Sequence, residues 1–384
     1  MTVFAAALAA VSLALFLWSY GAYPVVISRL ARRRGQSVAG AAGAPAPAQA
    51  PAHAPSHVEV LVAAADEEAV IGARVQNLLE QAETRLVVVG CDGCRDRTAE
   101  AARAAGGSRV RVVEFPERRG KASVLNDLVA ASDAEILVFT DANTRFEPGA
   151  LRALLARFAD PRVGAVCGRL ILEAPGGGTP EAELWNRETR TKEAEGELGV
   201  CVGANGAIYA ARRSLVRALA PDTTSMDDFL IPVGAARTGA RVVFAGDAVA
   251  REDAGRTVAA EARRRVRIGI GAGQVLRRET WLLWPGSHPL LTLAFASRKA
   301  ARWVAPLLGL LAAAAALATP FRAAGAAALA LAAILAVSVP LARRAGGPAG
   351  RLYYFAVLNL ALAAGVAAGL CGARRAAWTR TERH

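Results

Sequence analysis

Apolar and polar positions divide the chain into three kinds of segment. Residues 3–27 form an uncharged run of 25 residues, long enough at ~1.5 Å rise per residue to cross a ~30 Å hydrocarbon core with some tilt. From Val58 to about Thr280, short β-branched runs alternate with helical, Arg/Ala-rich segments, the pattern of a βαβ-type α/β domain. Strands are expected at 58–64, 86–90, 110–115, 136–140, 163–172 and 241–245, with helices between them, for example at 68–82 and 99–105. Residues 281–303 mix apolar positions with Arg298, Lys299 and Arg302 at near-helical spacing, which predicts a helix lying in a membrane interface. Apolar runs at 303–318, 323–342 and 352–370 then read as crossings. The organisation expected is an anchor at 1–34, an Ala/Pro-rich linker at 35–57, an α/β domain at 58–280, an interfacial helix region at 281–302, transmembrane helices within 303–371 and a basic tail at 372–384.

Composition sharpens this picture. With 54% hydrophobic and 21% charged residues among 384, the chain is neither disordered nor wholly soluble. A net charge of +13 raises nucleic-acid binding as a possibility, and the placement of the charge removes it. Residues 1–57 hold four Arg and no acid, residues 281–384 hold eleven basic residues and one acid, and 58–280 hold 31 basic and 32 acidic residues. The excess flanks apolar stretches, where membrane topology signals and contacts with anionic lipid place it, so a membrane partner and no nucleic acid are expected. Arg29, Arg32, Arg33 and Arg34 follow the first apolar run, which suits an uncleaved anchor with the next segment in the cytoplasm. Arg343, Arg344 and Arg351 fit a cytoplasmic loop, but four crossings would put Arg374, Arg375, Arg380 and Arg383 outside. Four crossings, or three with one run re-entrant or interfacial, therefore stay open. The expectation is a multi-pass protein of the cell (inner or plasma) membrane with a cytoplasmic α/β domain. Five cysteines without a dense pattern make no disulfide framework and suit a reducing compartment. Cys91 and Cys94 form a CxxC with no second pair or histidines at ligand spacing, so no metal is expected there.

In open α/β sheets, ligands bind beyond the carboxyl ends of strands. Acids stand at four such places: Asp66, Glu67 and Glu68 after the first strand, Asp92 after the second, Asp141 with Asn143 after a later one, and Asp227 with Asp228 after the apolar GANGAIYA segment. Taken singly, an Asp at a strand-to-helix junction is also a good N-cap, and Asp-Gly a good turn. Several such acids in one domain call for a compensating cation, and Mg2+ or Mn2+ carrying a nucleotide diphosphate supplies one with oxygen ligands.

Across 58–305 the ordered motifs resemble the family 2 glycosyltransferases, inverting GT-A enzymes that use nucleotide-sugars and include membrane-bound cellulose, chitin and poly-N-acetylglucosamine synthases. The resemblance implies an α/β fold, a GT-A, Rossmann-like nucleotide-sugar-binding cytoplasmic domain, joined to transmembrane α-helices. Ala63 to Glu68 resembles the P-A-Y-N-E-E opening, with Asp66 where Asn is usual, and implies that Asp66 and Glu67 lie against base and ribose. Asp92, Gly93, Cys94, Asp96 and Thr98 resemble D-G-S-x-D-x-T, with Asp92 near the uridine. Gly120, Lys121 and Asn126 resemble G-K-x-x-A-L-N, where Lys121 offsets phosphate charge. Asp141, Ala142 and Asn143 stand for the D-x-D metal motif, and Asn143 ligates through its carbonyl oxygen without adding charge. Gly203 to Ala210, with Gly203 and Asn205, resembles the segment lining the acceptor side. Met226, Asp227 and Asp228 resemble T-E-D, which makes Asp228, beside Asp227, the general base that removes the acceptor's proton. Arg264 to Ile268 resembles Q-R-x-R-W, and implies that Arg265 and Arg267 bind the departing diphosphate. A solvated basic face is the alternative reading of that run. Ile268 replaces the Trp on which a polymer's terminal sugar stacks, which favours short products over processive synthesis.

The function implied is inverting, metal-dependent transfer of a sugar from a nucleotide-sugar, a UDP-sugar first, to a polysaccharide or lipid acceptor at the membrane. A membrane scaffold with a degenerate, nucleotide-binding domain is the alternative, favoured by Asn143, Ile268 and Asp66. A transporter is disfavoured because the apolar runs carry almost no polar residue to mark a pathway.

Overall fold

The computed structural model describes residues 1–41, 57–173, 180–253, 257–286, 288–339 and 347–374. They form two compact units, one of residues 27–254 and one of residues 1–26 with 255–375. Helix α1 (Thr2–Leu17) opens the chain and continues through a π turn at Trp18–Ala22 into α2 (Tyr23–Ala41). The linker expected from residue 35 is therefore helical to residue 41, and its remainder, 42–56, lies outside the described residues.

The first unit is built on eight strands: β1 (Val58–Ala64), β2 (Leu86–Asp92), β3 (Val110–Phe115), β4 (Ile136–Thr140), β5 (Arg145–Phe146), β6 (Val163–Glu173), β7 (Tyr209–Arg212) and β8 (Arg241–Asp253). Their order is β3-β2-β1-β4-β7-β6-β8-β5. β1 and β4 are buried along their whole length and β2 along nearly all of it, so these strands read as continuous Val/Leu/Ile runs instead of alternating. β1 pairs in parallel with both β2 and β4, and β2 with β3. Chain order thus reverses at β1, and the carboxyl ends of β1 and β4 flank the switch point where such sheets bind ligands. β7 enters antiparallel between β4 and β6. It occupies part of the GANGAIYA segment, which sequence pattern marks only as apolar.

Helices α3 (Glu68–Leu79), α4 (Thr98–Gly106), α5 (Lys121–Ala130), α6 (Ala150–Ala156), α7 (Pro180–Leu198) and α8 (Asp227–Ala236) complete this unit. In α3 the buried positions are Ile71, Arg74, Val75 and Leu78, an amphipathic stripe interrupted by one arginine. That arginine reaches Thr140, the last residue of β4, at the switch point.

The second unit adds α9 (Val258–Arg278), α10 (Pro289–Ala294), α11 (Ala301–Ala316), α12 (Arg322–Ser338) and α13 (Gly347–Leu370). A π turn at Phe295–Ala300 joins α10 to α11, and Pro289–Ala316 is one apolar helix of 28 residues. The border expected at residue 303 between an interfacial helix and a crossing falls inside it. Among the described residues, three helices are long and apolar enough to cross a membrane: Thr2–Arg34, Pro289–Ala316 and Gly350–Leu370. α12 has 17 residues, and the apolar run expected to reach residue 342 passes beyond the described residues, as do residues 375–384 of the basic tail.

α9 and α13 meet through glycine. A Cβ on Gly269 would stand 2.5 Å from the Leu362 carbonyl, one on Gly273 2.5 Å from that of Val366, one on Gly365 2.2 Å from that of Val266, and one on Gly369 2.2 Å from that of Ile270. Gly269 with Gly273, and Gly365 with Gly369, are small residues four apart, the spacing that lets two helix backbones approach. Gly365→Leu is expected to cost about 1–3 kcal/mol through overpacking. The measurement is thermal unfolding in detergent against Gly21→Ala, where a Cβ meets nothing within 4 Å. Equal melting of the two variants would contradict the close approach.

Candidate active site

The ends of β1 and β2 are tied to each other. Asp66 adopts a left-handed backbone (φ 57°), a region that Asp tolerates better than most side chains. Its Oδ1 accepts the Arg95 N–H at 2.8 Å, and its other oxygen pairs with Arg118. The buried Glu67 precedes the first turn of α3, and its N–H donates to Thr98 Oγ1 at 2.8 Å. Asp92 is fully buried; Oδ1 accepts the Arg119 N–H at 2.6 Å and Oδ2 the Gly120 N–H at 2.9 Å. That carboxylate holds the turn in which Gly120 takes φ +88°, and so sets Lys121 as the first residue of α5.

Lys121 is the centre of the site. Its Nζ lies 2.8 Å from Asp141 Oδ1 at the end of β4 and 3.0 Å from Asp227 Oδ2 at the start of α8. The Tyr209 hydroxyl donates to the same Asp227 oxygen at 3.1 Å. Tyr209 is placed by β7: it pairs with Phe139 in the sheet, and their rings stack at 4.8 Å, a contact worth about 0.5–1.5 kcal/mol beyond area burial. Burial opposes the lysine's charge, yet Asp141 and then Asp227 outweigh it and hold the Lys121 pKa above the ordinary lysine value. Burial, reinforced by Asp227, Asp228 and Asp141, pushes the Tyr209 phenol well above its usual range, so this hydroxyl stays a donor.

Asp228 follows Asp227 in the first turn of α8, where the helix dipole favours carboxylates. It is half-buried, and its backbone carbonyl accepts the Ala204 N–H at 2.7 Å. Asn143 is exposed two residues beyond Asp141. A Cβ on Gly206 would stand 2.9 Å from Asp141 Oδ2, so glycine leaves this carboxylate its space. The Asp141 side chain is 28% exposed. A carboxylate and an exposed amide carbonyl are hard oxygen donors of the kind that Mg2+ or Mn2+ takes.

Buried polar residues that sequence pattern does not single out support this centre. Lys192 on α7 places Nζ 2.9 Å from the Ala204 carbonyl and lies over the Trp185 ring at 5.5 Å. Glu195 accepts the Val202 N–H at 3.1 Å. These two contacts shape the loop around Gly203, itself at φ +76°. Asn205 faces inward, donating to the Gly168 carbonyl at 2.8 Å and accepting the Ile208 N–H at 3.2 Å. Under Asp141, the buried Arg74 donates to Thr140 Oγ1 at 2.7 Å, and Thr140 donates to the Ala207 carbonyl at 2.5 Å. Burial lowers Arg74 to about 9 against the pull of Glu252 and Asp141, and Glu252 accepts from Thr144 Oγ1 at 2.7 Å.

Asp66, Glu67, Asp92, Lys121, Asp141, Asn143, Gly203, Asn205, Asp227 and Asp228 all belong to the α/β unit. Arg265, Arg267 and Ile268 lie on α9 in the helical unit, where Arg264 and Arg265 pair with Glu261 on their own helix at 3.4 and 3.2 Å.

A mixed sheet that gathers carboxylates and a lysine at the carboxyl ends of β1 and β4 has the GT-A arrangement of a glycosyltransferase. Residues 55–271 match the profile of the family described as Glycosyltransferase like family 2; the protein belongs to this family. The chain is 37% identical over 100 residues to the succinoglycan biosynthesis protein ExoU of Rhizobium meliloti (strain 1021), a match covering 26% of this chain and 29% of that protein. The chain thus spans less than a third of that relative's length. In fold it is similar to the mannosyltransferase PcManGT of Pyrobaculum calidifontis, solved in complex with GDP-Man and Mn2+, with TM-score 0.66 and 24% identity over 94% of this chain and 99% of that one.

Lys121→Met should cost about 3–5 kcal/mol by leaving Asp227 buried without its cation. Chemical denaturation is the measurement, and Lys121→Met combined with Asp227→Asn should recover most of the loss. Wild-type stability in the single variant would remove the bridge as a determinant of the fold.

Proposed function

We propose that the protein is an inverting, metal-dependent glycosyltransferase that moves a sugar from a nucleotide-sugar to a lipid or polysaccharide acceptor at the membrane. The carrying observation is the Lys121 ammonium, 2.8 Å from Asp141 and 3.0 Å from Asp227, with Asp228 the next residue of the same helix turn. In a single displacement, the acceptor hydroxyl bonds to the anomeric carbon while the bond from that carbon to the diphosphate breaks. Asp228 takes the hydroxyl proton as the new bond forms. Lys121 meets phosphate charge, and the bonds of Asp227 to Lys121 and Tyr209 keep the start of α8 in place. Asp92 acts on the nucleotide side by holding the turn before Lys121, and Asp66 and Glu67 line the base and ribose. Gly203 and Asn205 shape the acceptor side. Asp141 and Asn143 would hold Mg2+ or Mn2+, which when bound offsets the charge of the leaving diphosphate.

A UDP-sugar is the donor the sequence resemblance supports. The GDP-Man bound to the similar mannosyltransferase makes a GDP-sugar the second donor to try. The ExoU relative's part in succinoglycan biosynthesis supports a polysaccharide among the acceptors. The three long apolar helices and the arginines that follow the first of them support a multi-pass protein of the cell membrane with its α/β unit in the cytoplasm.

Asp228→Asn is expected to keep its fold and its nucleotide affinity by calorimetry while transfer falls about 10²–10⁴-fold. Turnover near wild type in the purified variant would refute the base assignment. A screen of UDP- and GDP-sugars with membranes should show release of nucleoside diphosphate that stops on chelation and returns with Mn2+ or Mg2+. Release untouched by chelation would exclude the metal.

A further inference from the structure

The CxxC at the end of β2 lies within the nucleotide side of the site. Cys91 is the penultimate residue of β2 and is buried, whereas Cys94, two residues past the strand, is half-buried. Cys94 packs against the buried cluster that contains Cys91, and Cys94 Sγ lies 3.6 Å from the carbonyl of Ala64, the last residue of β1. Between the two cysteines stand Asp92, whose carboxylate takes the N–H groups of Arg119 and Gly120, and Gly93 at φ +56°, where a Cβ would come within 2.6 Å of the Arg118 nitrogen. The residue after Cys94 donates its N–H to Asp66. Moving Cys94 toward Cys91 therefore moves both acids that the reading above places against the nucleotide.

We infer that Cys91 and Cys94 are a thiol–disulfide couple: oxidation by a peroxide-class oxidant modifies Cys94 first, links it to Cys91 and weakens nucleotide binding. The Cys94 thiolate attacks one peroxide oxygen, breaking the O–O bond and leaving a sulfenic acid and the first water. The Cys91 sulfur then displaces the sulfenic oxygen as the second water, so two thiols and one peroxide give one disulfide and two waters. Reactivity falls to the right partner. The neighbouring Cys91 side chain lowers the Cys94 thiol to about 7, while Cys94 and burial push Cys91 upward, so Cys94 is the attacking sulfur and Cys91 the resolving one. An S–S bond of about 2.05 Å is shorter than any thiol contact. Closing it drags the 92–95 turn, on which Asp92 and the Arg119–Gly120 turn depend. In a reducing compartment the dithiol is the resting form, and cytosolic disulfides of this kind are usually transient sensors. The residue type supports the inference: Cys94 stands where the D-G-S-x-D-x-T motif has Ser, which has no redox chemistry.

The effect on affinity rests on the proposed nucleotide-sugar site, and the experiment separates the two. Full-length protein in detergent is treated with hydrogen peroxide and then dithiothreitol, and three quantities are followed: the mass of the peptide holding both cysteines, amide exchange at Arg119 and Gly120, and affinity for UDP and GDP. The expected result is loss of two hydrogens from that peptide, at least tenfold faster exchange at both amides and at least tenfold weaker binding, all reversed by dithiothreitol and absent in Cys94→Ser. Alkylation of Cys94 should be half-maximal near pH 7, and should move toward the ordinary thiol value of about 8.5 in Cys91→Ser. Absence of the 91–94 link, a link without faster exchange, or an unchanged response in Cys94→Ser overturns the couple. If the reduced protein binds neither nucleotide, the donor reading fails, and the cross-link with the amide exchange still decides the couple. If Cys91→Ser does not fold, Cys94→Ser, altered at a half-buried position, carries the comparison.

Discussion

The site depends on one lysine that lets carboxylates stand close together. A sheet that binds a phosphorylated donor at its carboxyl edge must present acids and cations at the ends of separate strands, where like charges repel. At about 3 Å and an effective dielectric near 20, each Lys121–carboxylate contact is worth roughly 5 kcal/mol of attraction, against a desolvation penalty of several kcal/mol per ion. One ammonium reaching two aspartates exceeds its own penalty where one pair would barely do so. This constraint propagates outward. Asp92 must hold the turn that starts α5, β7 must run antiparallel beside β4 to bring Tyr209 to Asp227, and Gly206 must lack a side chain beside Asp141.

Much of the fold was legible because parallel strands buried on both faces leave long β-branched runs, and these place β1, β2, β3, β4 and β6 within a residue or two. β8 was legible only in its first half. β7 was not, because four residues flanked by glycines on one side and arginines on the other give no alternation. Arg298, Lys299 and Arg302 interrupt the apolar pattern of the single helix over Pro289–Ala316, and a π turn absorbs that interruption without ending the helix. The strand-end acids were legible as candidates, but their partners were not: that Asp92 binds backbone amides and Asn205 faces inward follows from tertiary contacts alone.

A signal for the missed residues was nevertheless present in residue choice. The chain has 46 basic residues and only three are lysine: 121, 192 and 299. Both lysines of the α/β unit are drawn inward, Lys121 to two carboxylates and Lys192 to the Ala204 carbonyl. A compact ammonium can converge on acceptors from several directions, where the planar fork of arginine cannot. In an arginine-rich chain, a lysine marks a place where point charge matters. Arg74 is the complementary case: its guanidinium lies over the Phe146 ring at 4.3 Å while bonding Asn77 and Thr140, a stacked and forked role that lysine could not fill. Its place in the apolar stripe of α3 was the readable anomaly.

The same constraint separates the roles of the paired acids on α8. Successive helical residues point about 100° apart, so Asp227 and Asp228 leave the helix in different directions even though they are neighbours in the chain. Asp227 is buried and accepts from both Lys121 and Tyr209. Asp228 is half-buried, and its backbone carbonyl takes the N–H of Ala204, next to Gly203 in the loop held by Lys192. Those two contacts commit the Asp227 carboxylate to holding the start of α8. The proposal that Asp228 removes the acceptor's proton thus leaves Asp227 the task of holding the first turn of α8 in place.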